Sequence, residues 1–392
     1  AFISSIFNPI DTPPPTASEL VAIPGLNPMI PLWWGLIGFI VALVIHEFGH
    51  GLLARSHGMR IRSFGLLQLG PLPLGAFAEP QAEELFKAPR KERQRMFAAG
   101  PATNLFAAFA ILLLLGGLAA QFSTSDETIH VRGIIKDQPA DIAGMEPWDI
   151  ITTINGTEVV GLDGFRTVMN EHKAGENITL GVVHNDGTAE NLTITLGDKY
   201  EHYLSEGYAK SDLELLGIKQ GDAFLGVEGM AQNTAGIDRI AGPLSPNQDY
   251  SLLQRTLLTP VHILQVMILP FESQGVAMAP AEETMLEPDD GWISSLLGKG
   301  GLLFLVNLLF WVMWVNILLG FTNLIPMVPF DGGHMFKDMV HAGLTRFRAV
   351  GRKLKLWNFH PMWIDHWSRK ASSISSLFIL FALLFTIFIP YF

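Results

Sequence analysis

Val44-Ile45-His46-Glu47-Phe48-Gly49-His50-Gly51 lies in the second half of an apolar run, Pro31–Ala54, long enough to cross a bilayer. On a helix, positions i and i+4 share a face, so both imidazoles can reach one metal ion. Glu47 stands one residue along and can serve water at that ion as a general base. Three ionisable groups inside an apolar span are costly, which makes the trio a functional expectation rather than a packing one. The chain has no cysteine, so any metal must be held by His, Asp or Glu. Catalytic zinc sites commonly combine two His, one carboxylate and an open position. The remaining carboxylate must come from elsewhere, and Asp331 is the candidate. It sits in Asn323-Leu-Ile-Pro-Met-Val-Pro-Phe-Asp-Gly-Gly333, at the end of a later apolar run. Pro326 and Pro329 break a helix there, and Gly332-Gly333 is expected to turn, lining a cavity rather than facing lipid. His334 is expected to belong to that turn or to stand behind the ligands.

Composition sets the frame around these motifs. Charged residues are 16% of 392, against about 25% in ordinary soluble domains. The apolar fraction is 49% and the mean hydropathy +0.31. The length allows two or three domains. Apolar runs at Pro31–Ala54, Phe97–Phe122, Gly301–Leu324 and Ile374–Phe392 read as spans. Leu257–Phe271 is short and holds Pro260 and His262, which fits an interfacial or re-entrant helix; Leu252–Met267, with His262 and Gln265, is expected on the outer leaflet.

Charge sets the expected topology. Lys87–Arg95 carries five Lys/Arg and one Glu, and Arg346–Lys370 carries seven and one Asp, so both are expected in the cytoplasm. Phe122–Tyr250 carries 8 Lys/Arg and 21 Asp/Glu and is expected outside. Such an acidic block argues against a nucleic-acid partner. His46, His50 and Asp331 then fall at the cytoplasmic ends of inward-running spans, at similar depth. The N-terminus falls outside, leaving room for a span upstream, and the first residue, Ala1, points to a trimmed or processed chain.

Phe64-Gly-Leu-Leu-Gln-Leu-Gly-Pro-Leu-Pro-Leu-Gly-Ala-Phe-Ala-Glu79 is nearly uncharged yet too interrupted for a helix, so a loop or hairpin lodged against protein in the membrane is expected. Within the acidic block, Ile150, Ile154 and Val159 around Asn155-Gly156 read as a β-hairpin. Ile178–Val183 and Leu192–Leu196 add strands around Asn185-Asp-Gly187. Pro139-Ala-x-x-Ala-Gly144 followed by Asp149-x-Ile-x-x-Ile-Asn-Gly156 resembles a PDZ domain of the kind attached to proteases. Phe224-Leu-Gly-Val-Glu228 resembles the strand and loop that bind a peptide carboxylate in such domains. The resemblance implies a permuted domain over about Asp126–Gly229 that captures a peptide by strand addition or gates substrate access; a module without a ligand is the competing reading. Sequons at Asn155, Asn177 and Asn191 fall on its expected outer face.

Taken with Ala99-Gly-Pro-Ala-Thr-Asn104, the HExxH in a span and the Asn-x-x-Pro-x-x-Pro-x-Asp-Gly segment resemble the site-2 protease family of intramembrane metalloproteases. The resemblance covers roughly Leu32–Leu118 and Leu302–His334. It implies Zn2+ held by His46, His50 and Asp331, Glu47 as catalytic base, and Asn323 holding the substrate or the developing oxyanion. It also implies that Gly75–Glu79 belongs to a membrane hairpin whose edge pairs with an unwound substrate strand.

The expected fold is a polytopic α-helical membrane protein with a membrane-associated β-hairpin and an inserted extracytoplasmic PDZ-like mixed α/β domain. The expected partition has an N-terminal extracytoplasmic segment (1–30), a membrane core with the HExxH span, hairpin and second span (31–122) and the PDZ-like domain (123–250). An interfacial helix and linker (251–300), the span with the Asp motif (301–343), a basic cytoplasmic loop (344–371) and a C-terminal span (372–392) follow. The expected function is regulated intramembrane proteolysis in a prokaryotic plasma membrane, with single-span membrane proteins as substrates and membrane lipids and a peptide of the PDZ-like domain as further partners. A membrane adaptor with a structural zinc site is the rival from another class, and a zinc transporter a third.

Overall fold

The computed structural model describes residues 18, 23–69, 72–124, 128–184, 187–231, 234–272 and 275–388. Most of the expected N-terminal segment, the hairpin tip at Gly70-Pro71 and the turn residues Asn185-Asp186 lie outside these. The chain divides into two compact units. One comprises residues 1–115, 250–277 and 304–392, the other 116–249 and 278–303.

Among the described residues four helices are long and apolar enough to cross a membrane, and three of them contribute to the first unit's interior: α1 (Leu32–Ser56), most of α2 (Arg90–Ala119) and the part of the later helix Trp292–Asn323 from Phe304 on. With lipid on the outside, such helices gain little from burying apolar surface and instead associate through close packing at small residues. Gly38 of α1 lies so near Trp311 that a Cβ there would stand 2.9 Å from its carbonyl oxygen. Gly49 stands in the same relation, 2.9 Å, to the Ala99 carbonyl of α2. Thr103 spends its hydroxyl on the Ala99 carbonyl at 2.9 Å, so it adds no unsatisfied polar group to the seam. Phe310 and Trp311 are fully buried, whereas Phe48 and Phe106 face outward.

Between α1 and α2 the chain forms two antiparallel strands, β1 (Ile61–Leu69) and β2 (Leu72–Pro80), in the register Gly65↔Phe77 and Leu67↔Gly75. Irregularities between Ile61 and Ser63 and between Leu67 and Gln68 bend the ribbon. Among the described residues neither strand pairs with a further strand.

The second unit holds a six-stranded antiparallel sheet. In chain order its main strands are β3 (Ile129–Val131), β4 (Ile150–Ile154), β5 (Asn177–Val183), β6 (Ala189–Thr195) and β7 (Met230–Ala231), arranged β7-β3-β4-β5-β6, with Thr157–Glu158 folded back on β4. Alternation drives it: Ile178 and Leu180 face inward opposite Ile194 and Leu192. Helix α3 (Gly161–Asn170) closes the core with Phe165 and Met169, four residues apart on one face. Asn155 and Gly156 both have positive φ, 50° and 78°, as a tight two-residue hairpin turn requires.

Three boundaries differ from those read off the sequence. Helix α4 (Leu252–Val266) opens with a capping box, Ser251 Oγ accepting from the Gln254 amide at 3.3 Å, and buries His262 while Gln265 is exposed. Helix α5 (Trp292–Asn323) begins before Gly301 and breaks at Gly298, where φ is 62°. Beyond it, the stretch expected as a basic loop is mostly helical. It is taken up by α6 (Asp331–Leu354) and α7 (Pro361–Phe388), separated by a short link that starts at Lys355 with φ 57°. Gly332-Gly333 is accordingly the first turn of α6 and not a free turn.

Candidate metal centre

Three side chains from two elements of the first unit meet at one point. His46 and His50 come from one face of α1, and Asp331 is the first residue of α6. The two Nε2 atoms stand 3.1 Å apart, and each lies 3.1 Å from Asp331 Oδ2. Among the described residues this is one group of three side chains able to hold a metal ion.

The hydrogen bonds behind the rings decide which nitrogen carries the proton. Asn104 Nδ2 donates to the Ala42 carbonyl at 3.0 Å and to Asn316 Oδ1 at 2.8 Å, which fixes the orientation of its amide. Its Oδ1 therefore accepts from His46 Nδ1 at 2.7 Å. His50 Nδ1 donates to the Met96 carbonyl at 2.8 Å. With Nδ1 of both rings committed to donation, the metal-binding form of each ring turns its Nε2 lone pair towards the other and towards a carboxylate oxygen. Three acceptors cannot satisfy each other, so the arrangement calls for a cation. Two imidazoles plus one carboxylate is a donor set suited to zinc, and ring orientation by outer hydrogen bonds is the usual support of such ligands.

Small residues make room for the group. A Cβ at Gly100 of α2 would stand 2.7 Å from His46 Nε2 and would also meet His50 Nε2. Gly332 and Gly333 let the start of α6 lie against the backbone of residues 324–328; a Cβ at Gly333 would be 2.6 Å from the Met327 carbonyl carbon. Ser375 and Ser376 of α7 tie the same connection, Ser375 Oγ donating to the Pro326 carbonyl at 2.9 Å and Ser376 Oγ accepting from the Val328 amide at 3.0 Å.

Glu47 is half-buried on α1 beside His46. Asn323 ends α5, and its Nδ2 donates to the Leu319 carbonyl at 3.1 Å, so its amide lies along its own helix. His334 is not part of the cluster; its ring stacks on Phe97 at 4.8 Å. That pair also lines a cavity of about 720 Å3 shared with Arg93, Asp338 and Arg369. Sequence reasoning quoted Gly100 and Asn104 in one motif without giving either a role at the site, and passed over Asn316. The available signal was a carboxamide in the middle of each of two apolar runs, a polar group that is costly in a span unless it finds a partner.

In the second unit, α3 and residues 223–227 flank a groove of about 320 Å3 that reaches Arg166, Lys173 and Lys199. The segment 223–227 is anchored by the Ala140 amide donating to the Leu225 carbonyl at 2.9 Å.

Four apolar helices among the described residues are those of an integral membrane protein, and a His-His-Asp group able to hold a metal ion lies in the same unit as most of them. The chain belongs to peptidase family M50, the site-2 protease family, whose model matches residues 34–358. An uncharacterised protein of Methanocaldococcus jannaschii is 24% identical over 335 residues, covering 84% of this chain and 64% of that one. The zinc metalloprotease RasP of Shouchella clausii is 28% identical over 183 residues, 42% of each chain. The chain thus spans less than two thirds of these relatives. The PDZ domain of the SdrC-like protein of Listeria monocytogenes aligns at a TM-score of 0.20 and 19% identity, over 26% of this chain and 85% of that domain.

Proposed function

We propose that this protein is a zinc endopeptidase that hydrolyses a peptide bond within the transmembrane segment of a substrate protein. The observation that carries the reading is the convergence of three lone-pair donors, 3.1 Å apart, with a carboxylate adjacent in sequence to the first of them. His46, His50 and Asp331 would hold the metal. Zinc bound there supplies Lewis acidity, making water acidic near neutral pH and polarising a carbonyl. Glu47 takes the proton from the attacking water and returns it to the leaving amine. Asn323 holds the substrate or the developing oxyanion once its amide turns from the Leu319 carbonyl. The β1–β2 ribbon, which pairs with no further strand among the described residues, would offer a backbone edge to an unwound substrate strand, which a helix must become before its peptide bond is reachable.

Further parts of the reading concern placement. The second unit's sheet and groove support a PDZ-like module outside the cell that captures a peptide or gates access, with the metal centre towards the cytoplasm of a prokaryotic plasma membrane. Single-span membrane proteins are the substrates, and lipids surround the outward-facing apolar side chains.

The test is zinc content and cleavage measured together. Glu47→Gln keeps zinc and stops cleavage of a single-span protein, and His46→Ala loses both. Substantial turnover by purified Glu47→Gln protein sinks the mechanism. A membrane adaptor with structural zinc would instead be complemented in cells by the Glu47 variant.

A further inference from the structure

Asp331 is brought to the imidazoles by a helix that carries it on its first turn, after a connection broken by Pro326 and Pro329. The serine contacts of α7 to that connection are single bonds between neutral groups. A stronger constraint lies two turns further along α6. Arg93 of α2 forks onto Asp338, Nε at 3.1 Å from Oδ2 and Nη2 at 2.8 Å from Oδ1. Asp338 is buried. Bidentate charge-assisted pairs of this kind are about twice as strong as neutral bonds and fix geometry as well as distance.

The fork is one rung of a series. Arg90 lies 3.1 Å from His341, Arg93 clamps Asp338, Phe97 stacks on His334, and Gly100 borders the rings that meet Asp331. Rising numbers in α2 meet falling numbers in α6, so the helices run antiparallel with residues 93, 97 and 100 facing 338, 334 and 331. At this spacing all of them share one stripe of each helix. A slip of one residue would rotate the Asp331 carboxylate by about 100° about the α6 axis, away from the metal site.

Resting on the zinc reading above, we propose that Arg93 is a positioning residue whose fork on Asp338 sets the register of α6 against α2 and so delivers the Asp331 carboxylate to the imidazole pair. The rest of the set depends little on it, since His46 and His50 are oriented by Asn104 and the Met96 carbonyl without help from α6.

The experiment uses the full chain in detergent, with zinc affinity read by competition against a chelator and the ligand field read from Co2+ absorption. Arg93→Lys keeps the charge but loses the two-point fork, and Asp338→Asn loses the charge; each lowers zinc affinity about 10- to 100-fold and shifts the Co2+ bands. Arg369→Gln removes a cation of the same cavity on α7, outside the α2–α6 series, and leaves both readouts unchanged. An equal loss in Arg369→Gln assigns the effect to the cavity's charge and overturns the register role. Wild-type affinity and bands in folded Arg93→Lys protein, judged by a single symmetric chromatographic peak, overturn it too. His46→Ala separates this proposal from the reading beneath it. If zinc binding survives that change, the metal assignment falls; if it is lost while Arg93→Lys binds normally, only the register role falls.

Discussion

At the scale of single residues, the centre depends as much on what is missing as on what is present. Gly100 borders both imidazoles, so Gly100→Ala places a methyl group where the Nε2 lone pairs converge. Overpacking a tight site typically costs about 1–3 kcal/mol. Here the strain is relieved most easily by turning the rings away from Asp331. The expected result is at least about a tenfold loss of zinc affinity in a chain that still folds, and chelator competition alongside thermal unfolding checks it. Unchanged affinity would remove the space-making role of Gly100. His46, His50 and Asp331 could be found in the sequence because ligand spacing on a helix and a Pro-rich break are local patterns. The amides behind them could not. Asn104 and Asn316 bond to each other at 2.8 Å while standing 212 positions apart, and nothing local to either residue announces that pairing.

At the scale of elements, hydropathy finds spans better than it finds helices. The apolar half of α7 was legible, but its first turns mix Trp363 and Trp367 with Asp365, Arg369 and Lys370 and so fall outside an apolar run. Helix α6 was missed for a related reason: its basic residues, Arg346, Arg348 and Arg352, sit on an amphipathic helix that a search for loops between spans passes over. The hairpin at Asn155-Gly156 was legible because that dipeptide suits the positive φ it adopts. The sheet built around it contains a titrating pair. His184 donates Nδ1–H to the buried Asp149 at 2.9 Å, and this bond raises the imidazole above its ordinary value of 6.5. A raised folded-state value means that the bond's contribution is complete below pH 6.5 and is lost as pH rises through the higher, folded value. Protection of the Ile150 and Val183 amides, which pair across β4 and β5, should therefore decline with rising pH relative to a His184→Gln variant measured at each pH. Parallel behaviour of the two proteins across that range would remove the role.

At the scale of the whole molecule, the unequal distribution of charge makes the proposed topology testable. The block Phe122–Tyr250 is strongly acidic, and the basic residues cluster at the start of α2 and between the middle of α6 and the start of α7. Lys and Arg near span ends stay on the cytoplasmic side because moving them across the bilayer is opposed during insertion, whereas acidic residues count for little. The proposal thus places Lys91 and Lys353 on one side and Glu190 on the other. The absence of any native cysteine makes the measurement clean, since a single introduced thiol is the whole signal. Glu190 is exposed on β6, and Lys91 and Lys353 are exposed on helix surfaces, so none of the three replacements disturbs a core. In intact cells a membrane-impermeant maleimide should label Glu190→Cys and leave Lys91→Cys and Lys353→Cys untouched until the membrane is opened. Labelling of Lys353→Cys in intact cells would put the basic end of α6 outside. It would also separate Asp331 from the depth of His46 and His50, against their convergence on one ion.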